Sequence, residues 1–425
     1  MKRKVKAGYK LTELGEIPEE WEIKKLKDIS KVIDSLHETP IYSENGFPML
    51  RVVDVNGKAI DTSKANKVSE EIYLKFTRKY EPQKEDIIMS RVGSYGLVSY
   101  LKDNNKVCLG QNIVVITTND LYKRYLFYSL NSNYIKSNID KVTVGSSQKT
   151  LSLNNINEFV IAIPPLQEQQ KIASILSTVD EQIDNVDALI EKNKELKKGL
   201  MQTLLTKGIG HTKFKKTEIG EIPEGWKIIK FFDFVEKTVD FRGRTPKKLG
   251  LDWGDGDIQA LSANNVKMGK IDFSLECYLA SEELYKNWMS GCELKKNDII
   301  MTMEAPLGNV ALVPDERKYI LSQRVIALKT KDYINNEFMK YMLMSEKIQN
   351  QLEKLSTGTT AKGINQKNLS KVCVLIPSLK EQEKIASILS SVDEKIEEYE
   401  NKKEKLEELK KGLMQQLLTG KIRVI

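Results

Sequence analysis

Two long stretches of the sequence carry apolar residues at alternating spacings of four and three, the pattern of a helix that packs a narrow apolar seam against another helix. Prolines at 164, 165 and 377 precede the two stretches, and Gly208 and Gly420 follow them. The seam residues are Ile172, Leu176, Val179, Ile183, Val186 and Ile190 in the first stretch, and Ile385, Leu389, Val392, Ile396, Tyr399, Leu406, Leu409, Leu413 and Leu417 in the second. The pattern predicts two helices of roughly 40 residues, each about 60 Å long.

Outside these stretches, apolar residues occur in short runs separated by Gly, Asn, Lys and Pro, which is typical of strands in a mixed, largely β domain. The runs 86–89, 112–116 and 159–163 are strand candidates, and 121–130 and 336–344 are short helix candidates. We therefore predict an α+β fold with two mixed α/β domains joined by two long helices. The predicted segments are a first globular domain at 1–163, a central spacer helix at 164–208, a second globular domain at 209–376 and a C-terminal spacer helix at 377–425.

The chain contains an internal repeat. The sequence TELGEIPEEW at 12–21 returns as TEIGEIPEGW at 217–226, and residues 163–209 return without a gap as 376–422, with about 30 of 47 positions identical. Identity at this level indicates a duplicated unit. Neither long helix alone can bury its seam, so we predict that the two pair as an antiparallel coiled coil, with the domains related by a pseudo-two-fold. The alternative is that each helix packs separately on its own domain.

Composition excludes several classes of protein. The chain has 425 residues, with 40% apolar and 30% charged residues, which indicates a folded protein of several domains. No run approaches the ~20 apolar residues of a membrane span. The N-terminus is basic, but no apolar segment follows it, so we expect a cytoplasmic protein without a secretory signal. Four widely spaced cysteines and two histidines argue against a disulfide framework or a structural zinc site.

The net charge of +8 lies in the globular segments. Residues 1–165 carry a net charge of +5 and residues 209–378 carry +4, whereas 166–208 carry −1 and 379–425 carry none. Basic domains on neutral helices favour nucleic-acid binding by the domains, because each phosphate that is neutralised releases counterions.

Candidate DNA-contacting residues lie in loops that follow a similar pattern in both copies. GSSQK at 145–149 and GTTAK at 358–362 offer hydroxyl groups, a cation and backbone N–H groups, and arginine can pair bidentately with guanine. A basic loop also follows Asp240. The candidates are Arg91, Ser146, Ser147, Gln148, Lys149, Arg242, Arg244, Lys247, Arg324, Thr359, Thr360 and Lys362. For each of them, the alternative is a solvated turn without contact to DNA.

Catalytic motifs are missing from the sequence. The segment Ile163–Leu166 (IPPL) lacks the Asn or Asp and the aromatic residue of an adenine-methylating motif, and no GxxxxGK[ST] sequence for ATP binding occurs. The acidic residues of Pro314–Lys318 (PDERK) are adjacent, whereas a PD…ExK nuclease takes its carboxylates from separate strands. We therefore predict that the chain is not an enzyme.

The repeated segments resemble the specificity (S) subunits of type I restriction-modification systems. Both copies carry GEIPExW, IPxLxEQxKIA and KKGLMQxLLT, so the resemblance covers essentially the whole chain. It implies that each domain is a target recognition domain for one half of a bipartite DNA sequence. It also implies that an antiparallel coiled coil sets the gap between the halves and docks two methyltransferase (M) subunits, which restriction (R) motor-nuclease subunits can join. S-adenosylmethionine, ATP and Mg would bind those partners, and no cofactor would bind this chain.

The start of each long helix supplies candidate partner-binding residues, which are of types usually exposed beside an apolar seam. They are Gln167, Glu168, Gln169, Lys380, Glu381 and Gln382. The alternative is that they only solvate the helices. For the chain as a whole, the alternatives are a coiled-coil scaffold or regulator whose domains bind proteins, and a self-sufficient modification or restriction enzyme.

Overall fold

The computed structural model describes residues 5–143, 150–254, 256–358 and 361–424. The chain forms two compact units, one made of Met1–Asp187 with Asn401–Ile425 and the other of Ala188–Glu400. Each unit therefore contains one globular domain and a part of both long helices. The four predicted segments follow one another along the sequence. In the structure, by contrast, each compact unit combines residues from both halves of the chain.

The first globular domain consists of short strands with small helices between them. Its strands are β1 (Tyr9–Thr12), β2 (Gly15–Pro18), β3 (Glu22–Lys25), β4 (Lys31–Asp34), β5 (Tyr42–Ser43), β6 (Phe47–Leu50), β7 (Asn66–Val68), β8 (Ile87–Ser90), β9 (Val98–Tyr100), β10 (Cys108–Leu109), β11 (Ile113–Thr117) and β12 (Val160–Ile163). Its helices are α1 (Leu26–Ile29), α2 (Glu70–Thr77), α3 (Lys123–Leu130), α4 (Asn133–Thr143) and α5 (Leu153–Asn157). The strand and helix candidates of this half agree with these elements to within two residues.

Two sheets form the body of this domain. One has the order β4-β11-β8-β9 and is antiparallel, with Val114 opposite Met89 and Asp34. The other has the order β10-β6-β7-β5, in which β10 runs parallel to β6. Strand β8 is buried on both faces, as expected for a continuous apolar run between layers.

The two long helices are α6 (Leu166–Lys207) and α11 (Leu379–Leu417), so the prediction of two helices of this length is confirmed. In the first unit, Lys410 Nζ lies 2.5 Å from Asp180 Oδ1 and Lys403 Nζ lies 2.7 Å from Asp187 Oδ1. A step of seven residues forward along α6 thus matches seven residues backward along α11. The helices are antiparallel, as predicted.

The predicted seam is buried along most of its length. In α6 all six seam residues are buried, and in α11 Ile385, Leu389, Val392, Leu406 and Leu417 are buried. Leu409 is the departure, because half of its side chain is exposed. The seven-residue interval continues from Tyr399 to Leu406 and Leu413, so the seam position after Leu406 is taken by Lys410, which pairs with Asp180, and Leu409 lies outside the seam.

The second globular domain repeats the plan of the first. After β13 (Phe214–Thr217), β14 (Gly220–Pro223) and β15 (Lys227–Lys230), its strands are β16 (Val235–Asp240), β17 (Ile258–Leu261), β18 (Leu279–Ala280), β19 (Ile299–Met303), β20 (Leu307–Leu312), β21 (Tyr319–Leu321), β22 (Val325–Thr330) and β23 (Cys373–Ile376). Its helices are α7 (Glu282–Met289), α8 (Asn336–Met344), α9 (Glu346–Leu355) and α10 (Gln366–Leu369). The sheet β16-β22-β19-β20 corresponds to β4-β11-β8-β9, and β21 runs parallel to β17 as β10 does to β6. The α+β fold and its internal repeat are confirmed.

Each domain is attached to its helix pair by a carboxylate that binds a tyrosine and a lysine. The Tyr128 hydroxyl donates to Asp180 Oδ2 over 2.7 Å, while Lys410 binds the other oxygen. In the second unit, the Tyr341 hydroxyl donates to Asp393 Oδ2 over 2.7 Å, and Lys197 Nζ lies 2.6 Å from Asp393 Oδ1. Because the ion pair joins α6 to α11 and the hydroxyl belongs to the domain, each carboxylate connects three elements.

Three further observations concern the described residues. The four cysteines are free. No described helix combines the length and the apolarity that crossing a bilayer requires. Within the ranges given above, no three His, Cys, Asp or Glu side chains are grouped to hold a metal ion.

Candidate nucleic-acid interface

In the second unit, an arginine joins the end of β16 to a distant loop. The Arg242 Nε lies 3.0 Å from both carboxylate oxygens of Asp240, and Nη2 lies 2.7 Å from Oδ2. Nη1 donates to the backbone oxygen of Ile364 over 3.0 Å. Gln366 also donates to Asp240, over 2.8 Å. Burial alone would raise the pKa of Asp240, but the hydrogen bonds from Arg242 and Gln366 hold it below its ordinary value, so this carboxylate is ionised at neutral pH.

The first unit contains the same connection with a different arginine. Asp34 ends β4, and both of its carboxylate oxygens accept hydrogen bonds from Arg91 Nη1, at 2.9 and 2.8 Å. Arg91 Nε donates to the backbone oxygen of Leu151 over 3.0 Å. The predicted DNA candidates Arg91 and Arg242 therefore both bind an aspartate at the end of a strand.

A shared backbone framework shows which positions correspond. In the first unit, Arg91 N donates to Asn112 O over 2.8 Å, and Leu151 N donates to Arg91 O over 2.9 Å. Asn112 has a positive φ of 65°. These bonds hold the turns that follow β8 and β10 beside the segment that enters α5.

The same bonds recur in the second unit. Met303 N donates to Arg324 O over 2.8 Å, Ile364 N donates to Met303 O over 3.0 Å, and Arg324 has a φ of 67°. Met303 thus occupies the position of Arg91, and Arg324 occupies that of Asn112. The side chain of Arg324 is 57% exposed and its Nε lies 3.4 Å from Glu304 Oε1.

The remaining described candidates of the second unit lie around this framework. Gln323 donates to the backbone oxygen of Arg244, and Lys362 Nζ contacts Glu353. The side chains of Arg244 and Lys362 are exposed. Lys247, on the short turn after β16, is also exposed. The structure therefore brings Arg242, Arg244, Arg324 and Lys362 to one end of the sheet. Ser146, Ser147, Gln148, Lys149, Thr359 and Thr360 lie outside the described residues.

A second pair of equivalent turns lies beside this end of the sheet, and sequence analysis missed it. Residues 52–54 form a turn that follows β6, and Gly110 donates its N–H to Leu50 O over 2.8 Å. In the second unit, Ser322 N donates to Leu261 O over 2.8 Å. The exposed tips of the two turns are Val53, which is 74% exposed, and Asn264. In the sequence, the one available signal was that the polar Asn264 of the second copy corresponds to the apolar Val53 of the first copy.

The exposure assumed for the partner-binding candidates is wrong for several of them. Glu168 is only 3% exposed, because its carboxylate accepts a 3.0 Å hydrogen bond from the Trp21 indole and binds Arg423 at 2.7 Å. Glu381 is half-buried by the same arrangement, with Trp226 at 3.1 Å and His211 at 2.8 Å.

The two glutamines that follow are also buried. Gln169 accepts from Tyr122 N over 3.0 Å and donates to Pro164 O over 2.9 Å. Gln382 accepts from Asn335 N over 2.9 Å and donates to Pro377 O over 3.1 Å. These residues join the start of each helix to its own domain, whereas Gln167 and Lys380 are exposed. Contact of this set with a partner stays a prediction.

Comparison with known proteins identifies the family. A family profile described as type I restriction modification DNA specificity domain matches residues 18–197 and 223–408. The chain is 32% identical over 433 residues to a putative type I restriction enzyme MjaX specificity subunit of Methanocaldococcus jannaschii, with coverage of 98% of this chain and 97% of the relative. It is 31% identical to the MjaVIII specificity subunit of the same organism, covering 96% and 94%.

A solved structure supports the same fold. The type I restriction-modification S subunit from M. genitalium aligns with a TM-score of 0.58 at 17% identity, over 96% of this chain and 97% of that one. The two matched domains, the relatives that align over nearly the whole chain and the fold all indicate the same family. The chain belongs to the family of type I restriction-modification DNA specificity subunits.

Proposed function

We propose that each globular domain recognises one half of a bipartite DNA sequence. The observation that carries this proposal is one backbone framework with different side chains: the exposed Arg324 stands where the first unit has the half-buried Asn112, and Asn264 stands where it has Val53. Arginine pairs with guanine, Asn with adenine, and an apolar side chain with the thymine methyl group. Recognition of two different half-sites requires different side chains at equivalent positions of the same backbone framework.

The positive charge supports the same function. The globular segments carry net charges of +5 and +4, and the helices are close to neutral. Contacts to phosphate position a protein on the duplex without specifying sequence, and contacts to base edges supply the specificity. The neutral antiparallel helices are proposed to set the gap between the half-sites, with the chain acting on chromosomal DNA in the cytoplasm.

Two equivalent grooves support the binding of two copies of one partner. In the first unit, a groove of about 370 Å³ runs between the end of α11 and the start of α4. In the second unit, a groove of about 700 Å³ runs between the end of α6 and the start of α9. The helix walls are Lys410, Lys411, Met414, Gln415 and Thr419 in one, and Lys197, Lys198, Met201, Gln202 and Thr206 in the other. Five identical residues in the same order favour the same partner at both grooves.

We assign these grooves to two methyltransferase subunits. Gly199 and Gly412 lie in the same helix segments, outside the groove linings, with open space beside them, so another chain can approach the helix backbone closely there. Glycine within a helix costs about 1 kcal/mol relative to alanine, and a close contact offsets this cost. Catalysis, together with S-adenosylmethionine, ATP and Mg, is proposed to belong to the methyltransferase and restriction subunits and not to this chain.

The test is to map N6-methyladenine in the native genome with and without the gene for this chain, and after its return on a plasmid. The expected result is the loss of one bipartite motif and its recovery on complementation. A protein-binding scaffold would leave the motif in place, so an unchanged methylome in cells that express the methyltransferase subunits would contradict the proposal. Binding of the purified protein to duplex DNA should also weaken steeply with salt.

A further inference from the structure

Two arginines start from different positions in the two units and end on the same pair of acceptors. Arg91 follows β8, where the second unit has Met303. Arg242 lies two residues after the aspartate that ends β16, where the first unit has Leu36 after Asp34. Nevertheless each guanidinium binds the aspartate at the strand end and a backbone oxygen at Leu151 or Ile364. We call this guanidinium link between the strand-end aspartate and the distant backbone oxygen the bridge. The two units share the bridge, although its arginine comes from a different sequence position in each.

The guanidinium groups are committed to these bonds. Arg91 uses Nε and Nη1, and Arg242 uses all three of its nitrogens. Their side chains are only 14% and 25% exposed. Bidentate pairing with guanine takes N–H groups from two nitrogens, and these bonds leave Arg91 only Nη2 and leave Arg242 none. Each arginine is also neutralised by its aspartate, which removes most of its attraction for phosphate.

The bridge connects the loop that follows the strand-end aspartate to a segment that carries candidate DNA-contacting residues. Asp34 and Asp240 are the last residues of their strands and lead into the loops at 34–40 and 240–246. Leu151 and Ile364 each lie two residues after the lysine that ends the GSSQK or GTTAK segment. A charge-assisted bond between the two loops fixes the distance between their ends, because the guanidinium is planar and its donors have fixed directions.

We propose that Arg91 and Arg242 are positioning residues for DNA recognition, each holding the two recognition loops of its unit in register without contacting a base. This inference rests on the proposed function and specifies which residues prepare the recognition surface. It replaces direct base contact by these two arginines with a role that acts through the loops. Arg324, which is exposed at the framework position of Asn112, remains a candidate for direct contact.

The experiment profiles base specificity in the complete system. Cells that carry the native methyltransferase subunits express variants of the full chain, and methylation is measured at every single-base variant of both half-sites. The first variant is Arg91→Met, which copies the residue of the second unit. The second is the double variant Leu36→Arg/Arg91→Met, which moves the arginine to the place it has in the second unit. Arg242→Leu and Arg242→Leu/Met303→Arg form the matching set.

For Arg91→Met we expect discrimination to fall at several base positions of one half-site by about tenfold, the factor for one lost charge-assisted bond. The other half-site should keep its profile. The double variant should restore most of the discrimination, because the bridge is rebuilt from another position. The second set should repeat both results at the other half-site.

Rescue by a relocated arginine cannot come from a base contact, since the guanidinium then reaches the bridge from a different backbone position. If Arg91→Met changes a single base position and the double variant leaves it changed, Arg91 contacts that base and the inference is wrong. If the single variant does not fold, all methylation disappears, and the double variant and the Arg242 set decide in the same way. A wild-type chain that directs no bipartite motif would contradict the proposed function instead.

Discussion

Trp21 donates its indole N–H to Glu168 over 3.0 Å and thereby ties the turn before β3 to the first turn of α6. Arg423, which follows α11, binds the same carboxylate at 2.7 Å. In the second unit, Trp226 binds Glu381 at 3.1 Å, and His211 takes the place of the arginine. Each domain is thus fastened to a helix start by one carboxylate that also holds the segment leaving a long helix.

Glu168 should make the stability of the first unit depend on pH. Burial would raise the pKa of this carboxyl, but Arg423, Trp21 and the Val424 N–H hold it below the ordinary value of 4.5. A lowered pKa in the folded state means stability that is present above the unfolded pKa and is lost as the pH falls through the folded one. We expect the free energy of unfolding to decrease as the pH falls below about 4.5.

The Glu168→Gln variant tests this dependence. At pH 7 it should lower the free energy of unfolding by about 2 kcal/mol, because it weakens hydrogen bonds to a buried charge. It should also flatten the decrease below pH 4.5. Urea denaturation followed by tryptophan fluorescence at pH 7 and pH 4 measures both effects. The control is Glu181→Gln, an exposed residue of the same helix. Equal pH dependence in the variant and the wild type would contradict the assignment.

The seam of α6 should be far more sensitive to truncation than its exposed side. Leu176 is fully buried in the core of the first unit. The Leu176→Ala variant should therefore lower the free energy of unfolding by about 3 kcal/mol, because apolar burial is lost and a cavity is left. Leu196, on the same helix, is half exposed, and Leu196→Ala should cost less than about 0.5 kcal/mol. Chemical denaturation of both variants gives the comparison. Similar losses for the two leucines would mean that the burial pattern is wrong.

Lys247 and Lys248 should contribute affinity but no specificity. Both are exposed on the turn at Pro246–Leu249. Replacing both with alanine should weaken DNA binding equally for all sequences and reduce the slope of log affinity against log salt by about 2, one for each phosphate contact. Titrations of a labelled duplex at several salt concentrations measure this slope. Lys380→Ala serves as the control, and an unchanged slope in the double variant would exclude phosphate contacts at this turn.

The helices should act as a ruler only when both are lengthened. Seven residues inserted after Asp187 and seven after Glu400 keep the antiparallel pairs of each unit and add about 10 Å of helix, or about three base pairs of DNA. The methylated motif should gain that spacing while its half-sites stay the same. Insertion in α6 alone should abolish methylation, because it shifts one seam against the other. A doubly lengthened chain that methylates the original motif would rule out the ruler.

The elements with strong periodicity could be predicted from the sequence. The range 336–344 matches α8 to the residue, and the seam of α6 is buried as its spacing indicates. Both depend on local patterns that repeat every three or four residues. Leu409 differs because the neighbouring Lys410 holds the seam position and pairs with Asp180 of the other helix, a partner that the apolar spacing of one helix does not identify.

The recognition surface was less predictable, because its contacts join residues distant in sequence. Arg91 was correctly placed after a strand, but its partner Asp34 lies 57 residues away and takes up its guanidinium. Glu168 has the sequence context of a solvated residue, and it becomes buried only through Trp21 and Arg423, the latter 255 residues away. Pairing a polar residue with a distant partner requires the fold, whereas apolar spacing does not.

The first unit is built from two separate parts of the chain, and this has a consequence for folding during protein synthesis. This unit needs residues from both ends of the chain, and Leu417 and Leu418 belong to its core. A ribosome adds about 5–20 residues per second, so the N-terminal part waits roughly 10–40 s while the second unit is made. During that interval its apolar helix face is uncovered and open to chaperones or to wrong partners. The second unit is continuous and can fold as it emerges, so the half that is translated first is completed last.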